Sequence, residues 1–278
     1  MSSSDWTTYW RSTRRPLEVM HAHFQRHAYD RHSHEAYSFG VTEAGAQAFR
    51  CRGSEHTSTA GMVLAFNPDE PHDGHAGVVG GFTYKIVHIG PDLIADVLSD
   101  AAQRRVGLPL FTDPVIHDPL LADALRGLDE TLLRGDSTLA QDEAVQRTVY
   151  AMARRAAAHP TRPAGPVIAD DGVRRVRDLL EAHFADDLGV ERLAEVSGRS
   201  RFALNRAFAA AYGLMPSEYQ RQLRLRHARK LIAAGAELAD TATAAGFSDQ
   251  SHLNRWFRRH YGITPGAFQR AEIPLSAR

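Results

Sequence analysis

The chain has 278 residues, of which 43% are hydrophobic and 24% charged, which is typical of a globular protein with two domains. It has no apolar run near the roughly 18 residues that cross a bilayer, its start has no apolar secretory core, and its one cysteine, Cys51, excludes an intrachain disulfide or a cysteine-cluster metal site. These features predict a cytoplasmic protein that does not bind a membrane. The net charge is zero, but from Val196 to the end there are 13 Lys and Arg against 5 Asp and Glu, a net +8. We therefore expect the C-terminal part to bind a polyanion.

The first predicted elements are β-strands. Between residues 17 and 90, short runs rich in β-branched and aromatic residues are separated by glycine and proline, at the spacing of a small barrel or sandwich. The runs are 36–41, 46–50, 62–66 and 82–87. From Pro91 the pattern becomes helical, and 118–134 and 139–158 carry apolar residues at steps of three and four. We expect an α+β domain over 17–158, with a cupin-like β-barrel and appended helices.

A proline-rich stretch follows this domain. The segment from His159 to Pro166 has three prolines and a glycine, which neither a helix nor a sheet ladder sustains. Residues 159–171 are therefore predicted to be a linker. Residues 172–270 are predicted to be an all-α domain, because the helical segments there are separated by glycine stops.

This C-terminal domain contains an internal repeat. The residues Leu204-Asn205-Arg206, Phe208, Tyr212-Gly213, Pro216 and Tyr219-Gln220 return 49 positions later as Leu253-Asn254-Arg255, Phe257, Tyr261-Gly262, Pro265 and Phe268-Gln269. Upstream, Gly198 and Ser200 return as Gly246 and Ser248 at an offset of 48, so one residue is inserted early in the second copy. The repeat predicts two copies of one supersecondary unit.

Each copy has the pattern of a helix-turn-helix. A short helix, 190–196 or 238–245, reaches a glycine that can adopt the positive φ of a tight turn. The serine that follows, Ser200 or Ser248, is predicted to cap the second helix by accepting a backbone N–H. The second helix then ends at Tyr-Gly in both copies. A helix from Pro216 to about residue 234 is predicted to join the two units.

The second helix of each copy is predicted to have a buried and an exposed face. The spacing places Leu204, Phe208 and Ala211 on one face of the first, and Leu253, Phe257 and His260 on one face of the second. The opposite faces carry Phe202, Asn205 and Arg206, and Gln250, Ser251, Asn254 and Arg255. Arginine pairs with guanine, asparagine and glutamine pair with adenine, and an aromatic ring contacts the thymine methyl group. These residues are the candidate DNA contacts, and a merely solvated polar face is the alternative.

The connecting helix has a length that suits duplex DNA. Its roughly 18 residues span about 27 Å at ~1.5 Å per residue, against ~34 Å between successive major-groove faces. One chain is therefore expected to place both recognition helices in adjacent grooves and to read a direct repeat. The helix also carries five cations, Arg221, Arg224, Arg226, Arg229 and Lys230. Some of them are expected to reach phosphates, with nearby acids as alternative partners of Arg221 and Arg229.

Residues 172 to about 270 resemble the DNA-binding domain of the AraC/XylS family of regulators. The match includes the run from Ala245 to Pro265, AGFSDQSHLNRWFRRHYGITP, which is a highly specific signature. The resemblance implies a sequence-specific DNA-binding protein. It also implies base contacts at the positions that the exposed faces select, which are Phe202, Asn205 and Arg206 in the first copy and Gln250, Ser251, Asn254 and Arg255 in the second.

The β region resembles the cupin-type sensor domain of the same family. It has His32-Ser33-His34, a glycine-bounded hairpin from Gly45 to Gly53, and His72 four residues after Pro68. The resemblance implies that an organic effector binds in the barrel, near His34, Tyr37 and His72.

The same histidines raise the question of a metal site. On a strand His32 and His34 share one face, and His72 from a second strand would complete a triad. In enzymatic cupins a glutamate usually follows four or five residues after the second histidine. This chain has Ser38 and Phe39 at those positions. No metal and no other cofactor is therefore predicted, and purely structural histidines remain an alternative.

Taken together, these patterns predict a transcription regulator controlled by a small molecule, and not an enzyme. The expected partners are promoter DNA, an organic effector, a second copy of the chain paired through helices between about 118 and 159, and RNA polymerase if the protein is an activator. Two alternatives remain open. One is a cupin metalloenzyme tethered to a DNA-binding domain, and the other is an architectural DNA binder with a degenerate sensor.

Overall fold

The computed structural model describes residues 5–13, 15–102, 104–134, 138–158 and 170–271, without the side chains of 138, 139, 201 and 202. These residues form two compact units. The first contains 5–28, 33–158 and 271, and the second contains 29–32 and 170–270. The predicted linker falls almost wholly outside the described residues. No helix among the described residues is both long and apolar enough to cross a membrane.

The first unit is built on antiparallel strands. In chain order the strands of the protein are β1 (Trp6–Arg11), β2 (Leu17–Phe24), β3 (Tyr29–His32), β4 (Tyr37–Cys51), β5 (Ser54–Thr59), β6 (Val63–Phe66), β7 (His72–Ala76), β8 (Phe82–Ile89) and β9 (Val115–Ile116). Six of them lie side by side in the order β1, β2, β8, β4, β6, β9, and both β5 and β7 pair with β4. An antiparallel β domain ahead of a helical region is therefore confirmed.

The 15-residue strand β4 links two parts of this sheet. Its first part pairs with β8 and β6, and the part from Ala46 onwards pairs with β5 and β7. The change falls at Gly45, which has φ +71 and where a Cβ would collide with the carbonyl oxygen of Gly81. Gly45 thus lies inside one strand, directly before the arm that pairs with β5, so the predicted hairpin forms as a continuation of β4. The hairpin turn lies at Arg52 and Gly53, both with positive φ.

Three helices cover one face of the sheet: α1 (Pro91–Ala102), α2 (Pro119–Leu133) and α3 (Thr138–Arg155). Successive side chains of a strand point to opposite faces. Tyr37, Phe39 and Val41 of β4 therefore point towards the helices and belong to a buried cluster with residues of α2 and α3. Ser38 and Thr42, which alternate with them, point to the other face, called here the inner face.

The apolar stripes of α2 and α3 are buried in this unit. The cluster with the sheet includes Leu121, Leu125, Leu128, Leu132, Val145, Val149 and Met152. These are the stripes from which we expected helix pairing with a second subunit. That expectation is not supported, because a stripe packed on its own sheet is not available to a partner.

The second unit contains, among the described residues, α4 (Asp171–Ala182), α5 (Val190–Ser197), α6 (Arg201–Tyr212), α7 (Pro216–Ala233), α8 (Leu238–Ala244), α9 (Gln250–Tyr261) and α10 (Pro265–Arg270). The 18-residue α7 connects the two helix pairs, as predicted. The strand β3 packs against α7 and α9 and therefore groups with this unit. The predicted first domain, 17–158, includes β3 and so differs from this grouping.

Candidate nucleic-acid interface and effector site

The first helix-turn-helix consists of α5 and α6. Helix α5 ends at Gly198, which has φ +67, a left-handed conformation that glycine adopts without strain. Two residues later Ser200 caps α6, because its hydroxyl oxygen accepts the backbone N–H of Ala203. Helix α6 ends at Gly213, again left-handed with φ +72. The turn, the cap and the stop all lie where the sequence predicts them.

The second helix-turn-helix, α8 and α9, has the same form with a different cap. At Gly246 φ is +80, and a Cβ there would lie 2.5 Å from the carbonyl oxygen of Ala185. The prediction that Ser248 caps α9 is wrong. Asp249 is the cap, and its carboxylate accepts the backbone N–H of His252 at 2.7 Å, which lowers the pKa of that carboxyl. Asp249 lies 49 residues after Ser200, so the cap follows the main offset of the repeat.

Burial divides α6 and α9 into the two expected faces. Leu204 and Phe208 of α6, and Leu253 and Phe257 of α9, are fully buried. On the opposite face Asn205 is half-buried, and the exposed residues are Arg206, Gln250, Ser251, Asn254 and Arg255. The side chain of Phe202 lies outside the described residues.

The exposed residues lie near the N-terminal end of their helices. Gln250 is the first residue of α9, and Asn254 and Arg255 follow in its second turn. Asn205 and Arg206 have the same place in α6. The N-terminal residues of a recognition helix are those that reach base edges in the major groove. Both helices therefore carry hydrogen-bonding side chains at the positions predicted to contact DNA.

Two arginines of α7 are engaged with aromatic rings of the same unit. The guanidinium of Arg221 lies 3.8 Å from the ring centre of Trp256 on α9, and burial lowers the pKa of Arg221. The guanidinium of Arg229 lies 5.2 Å from the ring centres of Tyr261 and Phe268. These contacts join α7 to the second helix-turn-helix and were not foreseen.

A third arginine of α7, Arg224, is bonded to the segment between α4 and α5. It donates to the carbonyl oxygens of Phe184 and Asp186 at 2.7 and 2.8 Å, and burial lowers its pKa. Arg221, Arg224 and Arg229 thus have contacts within the unit, which weakens the expectation that these three reach phosphates.

Three histidines come together on the inner face of the first unit. The ring centre of His34 lies 5.4 Å from that of His72 and 4.7 Å from that of His88. The Nδ1 of His88 lies 2.8 Å from the Oγ of Ser38, its register partner. Ser38, His72 and His88 are buried and His34 is half-buried. We call these four residues the histidine cluster.

The His72 ring is held in a defined orientation. Its Nδ1–H donates to the carbonyl oxygen of Glu70 at 2.8 Å, and the ring stacks on Phe66 with 4.0 Å between ring centres. The cluster therefore contains a histidine ring whose orientation is fixed among buried side chains.

Tyr37 does not join the histidine cluster. It points to the helix-covered face, where its hydroxyl donates to the carbonyl oxygen of Pro109 at 2.7 Å. Burial raises the pKa of Tyr37 to about 12. Tyr37 is predicted to lie beside His34 and His72, but the residue that faces the cluster is its neighbour Ser38, because successive strand residues alternate.

His32, the remaining histidine of the His-x-His pattern, groups with the second unit. Its Nδ1–H donates to the carbonyl oxygen of Asp30 at 2.7 Å, and its ring centre lies 4.9 Å from that of His260. The absence of a metal at His32, His34 and His72 stays a prediction.

Two family models match the chain in succession. Residues 16–153 match the model of the AraC-like ligand binding domain, and residues 193–271 match that of a helix-turn-helix domain. The first range contains the histidine cluster, and the second contains both helix-turn-helix units except for the first three residues of α5.

Relatives and solved structures agree with these matches. The chain is 27% identical over 222 residues to YbfI of Bacillus subtilis, an uncharacterized HTH-type transcriptional regulator, with 80% of each chain covered. It is 38% identical over 87 residues, 31% of each chain, to the transcriptional activator RhaS of Escherichia coli. The fold is similar to that of ToxT from Vibrio cholerae, with a TM-score of 0.53, 11% identity, and 96% of this chain and 97% of that chain covered.

Proposed function

The chain belongs to the AraC family of transcriptional regulators, with a ligand-binding domain and a helix-turn-helix DNA-binding region, and on this premise we propose that α6 and α9 are its recognition helices and the histidine cluster its effector site. One observation carries the DNA-binding part. The same pair, Asn205-Arg206 and Asn254-Arg255, lies on the outer side of both helices at the same distance from the helix start.

The chemistry of these side chains suits the edges of base pairs. Arg206 and Arg255 would each donate two hydrogen bonds to a guanine, and Asn205 and Asn254 would pair with adenine. The further contacts proposed are Phe202 in α6 and Gln250 and Ser251 in α9. Together they would read two half-sites in adjacent major grooves of promoter DNA.

The effector part of the proposal rests on buried polar groups that lie beside aromatic rings on the inner face. Ser38 and His88 stand beside the buried rings of Phe66 and Phe49, and the His72 ring is held on Phe66 in a fixed orientation. A ligand held there would be an organic molecule with an apolar part and a polar group. ToxT of Vibrio cholerae has been solved with an unsaturated fatty acid bound. For the present chain, imidazole and hydroxyl groups indicate a ligand that has at least one polar group.

Regulation then requires that the effector binds two arrangements of the protein with different affinity. A ligand shifts an equilibrium only by that difference. Coupling free energies between sites are typically about 1–3 kcal/mol, or roughly 5- to 150-fold in DNA affinity. We therefore expect a graded change in promoter binding and not complete loss of it.

The remaining partners follow from the proposed role. A protein that reads promoters acts in the bacterial cytoplasm, and as an activator it would contact RNA polymerase. A homodimer stays a prediction, and it would have to use surface other than the buried stripes of α2 and α3. Sedimentation equilibrium at micromolar concentration measures this directly, since a mass equal to that of the monomer contradicts dimer formation.

The two other functions stay open and make different predictions. A tethered metalloenzyme requires about one equivalent of Fe, Mn or Ni per chain, which elemental analysis of the purified protein measures. An architectural binder predicts little preference among DNA sequences. A regulator predicts specific binding that is roughly a thousandfold tighter, or more, than binding to random DNA.

The experiment that tests the proposal is a nuclease footprint on the intergenic DNA beside the gene, with and without pooled cell metabolites. We expect a discrete protected site of about two helical turns per chain, altered by some metabolite fraction. Diffuse protection that fades with salt and ignores all fractions would instead favour the architectural binder.

A substitution in α9 then tests whether this helix reads bases. Arg255→Ala should weaken binding by about 1–3 kcal/mol and relax the preference at one base pair of the protected site. Arg134→Ala, which removes an exposed arginine of the first unit that pairs with Glu130, is the control for lost charge. Equal weakening by Arg255→Ala at every sequence would make Arg255 a phosphate contact.

A further inference from the structure

The strand β3 comes early in the sequence but packs in the second unit, against α7 and α9. We infer that it is a clamp that holds the two recognition helices at a fixed separation and orientation, so that Tyr29 and Arg31 are positioning residues for DNA reading. This inference rests on the proposed role of α6 and α9.

Arg31 binds the C-terminal end of α6. Its Nε donates to the carbonyl oxygen of Gly213 at 2.8 Å, and Gly213 is the left-handed residue at which α6 ends. The last carbonyl groups of a helix lack partners within the helix and carry the negative end of its dipole. A guanidinium at this place satisfies one carbonyl and complements the dipole.

Tyr29 and His32 bind the C-terminal end of α9. That helix ends at Gly262 with φ +73, and Tyr29 lies so close that a Cβ on Gly262 would collide with its hydroxyl oxygen. The ring of His32 lies 4.9 Å from that of His260 in the last turn, and both rings are buried. The strand is therefore packed tightly onto this helix end.

The two contacts are equivalent in the repeat. Gly213 and Gly262 are the same position of the two copies, 49 residues apart. A four-residue strand, about 13 Å long at ~3.3 Å per residue, thus contacts the corresponding ends of both recognition helices. Along the chain these helices are joined through α7. The strand adds a second link, and two links restrict rotations that one link permits.

The second link affects which spacings of DNA half-sites the protein can bind. Two modules on one chain bind together most strongly when their separation matches that of the half-sites. A clamp that fixes the separation therefore makes the protein selective for half-site spacing.

The experiment compares full-length variants on operators of different spacing. The operator defined by the footprint is used as found and with one, two and five base pairs inserted between its half-sites, where five is about half of a ~10.5-base-pair turn. Dissociation constants are measured by fluorescence anisotropy at fixed salt. Arg31→Ala is the test variant. Arg26→Ala removes an exposed arginine just before the strand and is the matched control.

We expect wild type and Arg26→Ala to lose affinity steeply with each insertion. Arg31→Ala should bind the native operator about tenfold more weakly and should lose much less affinity on insertion, because its helices are free to adjust. Unchanged affinity of Arg31→Ala for the native operator would overturn the inference. So would weaker binding with the same dependence on spacing, because that indicates only a less stable protein.

A second variant keeps the test valid if Arg31→Ala does not fold. Asp30 is an exposed residue of the strand whose carboxylate lies 3.7 Å from the guanidinium of Arg259 on α9. Asp30→Arg should flatten the spacing profile without unfolding the protein, and a profile identical to that of wild type contradicts the clamp. If the proposed function itself fails, wild type gives no discrete footprint and no spacing profile exists to be changed.

Discussion

Ser38 and His88 are joined by a 2.8 Å contact between Oγ and Nδ1, although 50 residues separate them in the chain. The antiparallel register of β4 and β8 pairs them directly, and paired residues project from the same face of a sheet. The adjacent pair, Tyr37 and Ile89, projects from the opposite face into the core under the helices. The wall of the proposed effector site is therefore determined by strand register.

This relationship predicts which of two neighbouring residues affects the response to effector. Ser38→Ala removes a hydrogen-bonding group of the cluster, and a hydrogen bond contributes about 0.5–1.5 kcal/mol. We expect a roughly two- to tenfold higher concentration of the active metabolite fraction for half-maximal change in the footprint. Tyr37→Phe, one residue away on the other face, is the matched control and should respond as wild type does. A larger effect of Tyr37→Phe would place the effector on the helix-covered face.

We expect substitution of Asp129 to lower the free energy of unfolding strongly. It is 1% exposed on α2, and its carboxylate accepts from Nζ of Lys85 at 3.0 Å and lies 2.5 Å from Nε2 of His21. Removing one partner of a buried ion pair costs about 3–5 kcal/mol, and the partial exposure of Lys85 places Asp129→Ala at the lower end, about 3 kcal/mol. Urea unfolding followed by tryptophan fluorescence measures it, since Trp10 packs edge-on against His21.

The control for Asp129 is another acid of the same helix. Asp123 is largely exposed and pairs with Arg126, so Asp123→Ala should change the free energy of unfolding by less than about 0.5 kcal/mol. Equal effects of the two substitutions would mean that Asp129 is solvated and that the contacts with Lys85 and His21 contribute little.

The helix-turn-helix units were predictable because their signals are local. Glycine at a left-handed position, a short polar cap and apolar residues at steps of three and four act within about a dozen residues. Even the one error there, Ser248 in place of Asp249, is a shift by a single position that the offset of 49 resolves.

The sensor site was harder to predict because its geometry is not local. Whether Tyr37 or Ser38 faces the cluster depends on which face of β4 the helices cover, and α2 begins about eighty residues later in the chain. His88 has no local sequence signal, because its proximity to Ser38 follows from pairing between strands distant in sequence. The contact of β3 with α9 joins residues more than two hundred positions apart, so periodicity carries no signal of it.

The two turn glycines should differ in their tolerance of alanine. At Gly198 φ is +67 and a Cβ would meet nothing within 4 Å, whereas at Gly246 it would lie 2.5 Å from the carbonyl oxygen of Ala185. Gly198→Ala carries only the strain of a left-handed alanine, about 1–2 kcal/mol. Gly246→Ala adds a clash with backbone and should be clearly more destabilising. Thermal unfolding of the two variants compares them, and equal melting temperatures would contradict the close packing at Ala185.

Titration of Tyr37 should lower the free energy of unfolding at high pH. Burial raises its pKa to about 12 from the ordinary 10.0, so the unfolded chain releases the proton at a lower pH than the folded one. The stabilisation is fully present below about pH 10 and is lost as the pH rises through about 12, by about 2 kcal/mol. Because Tyr37→Phe has no proton to release, the difference in unfolding free energy between wild type and this variant should change over that range. Denaturant unfolding at pH 9, 10, 11 and 12 measures the difference. A value independent of pH would show that the Tyr37 hydroxyl is hydrated and not bonded to Pro109.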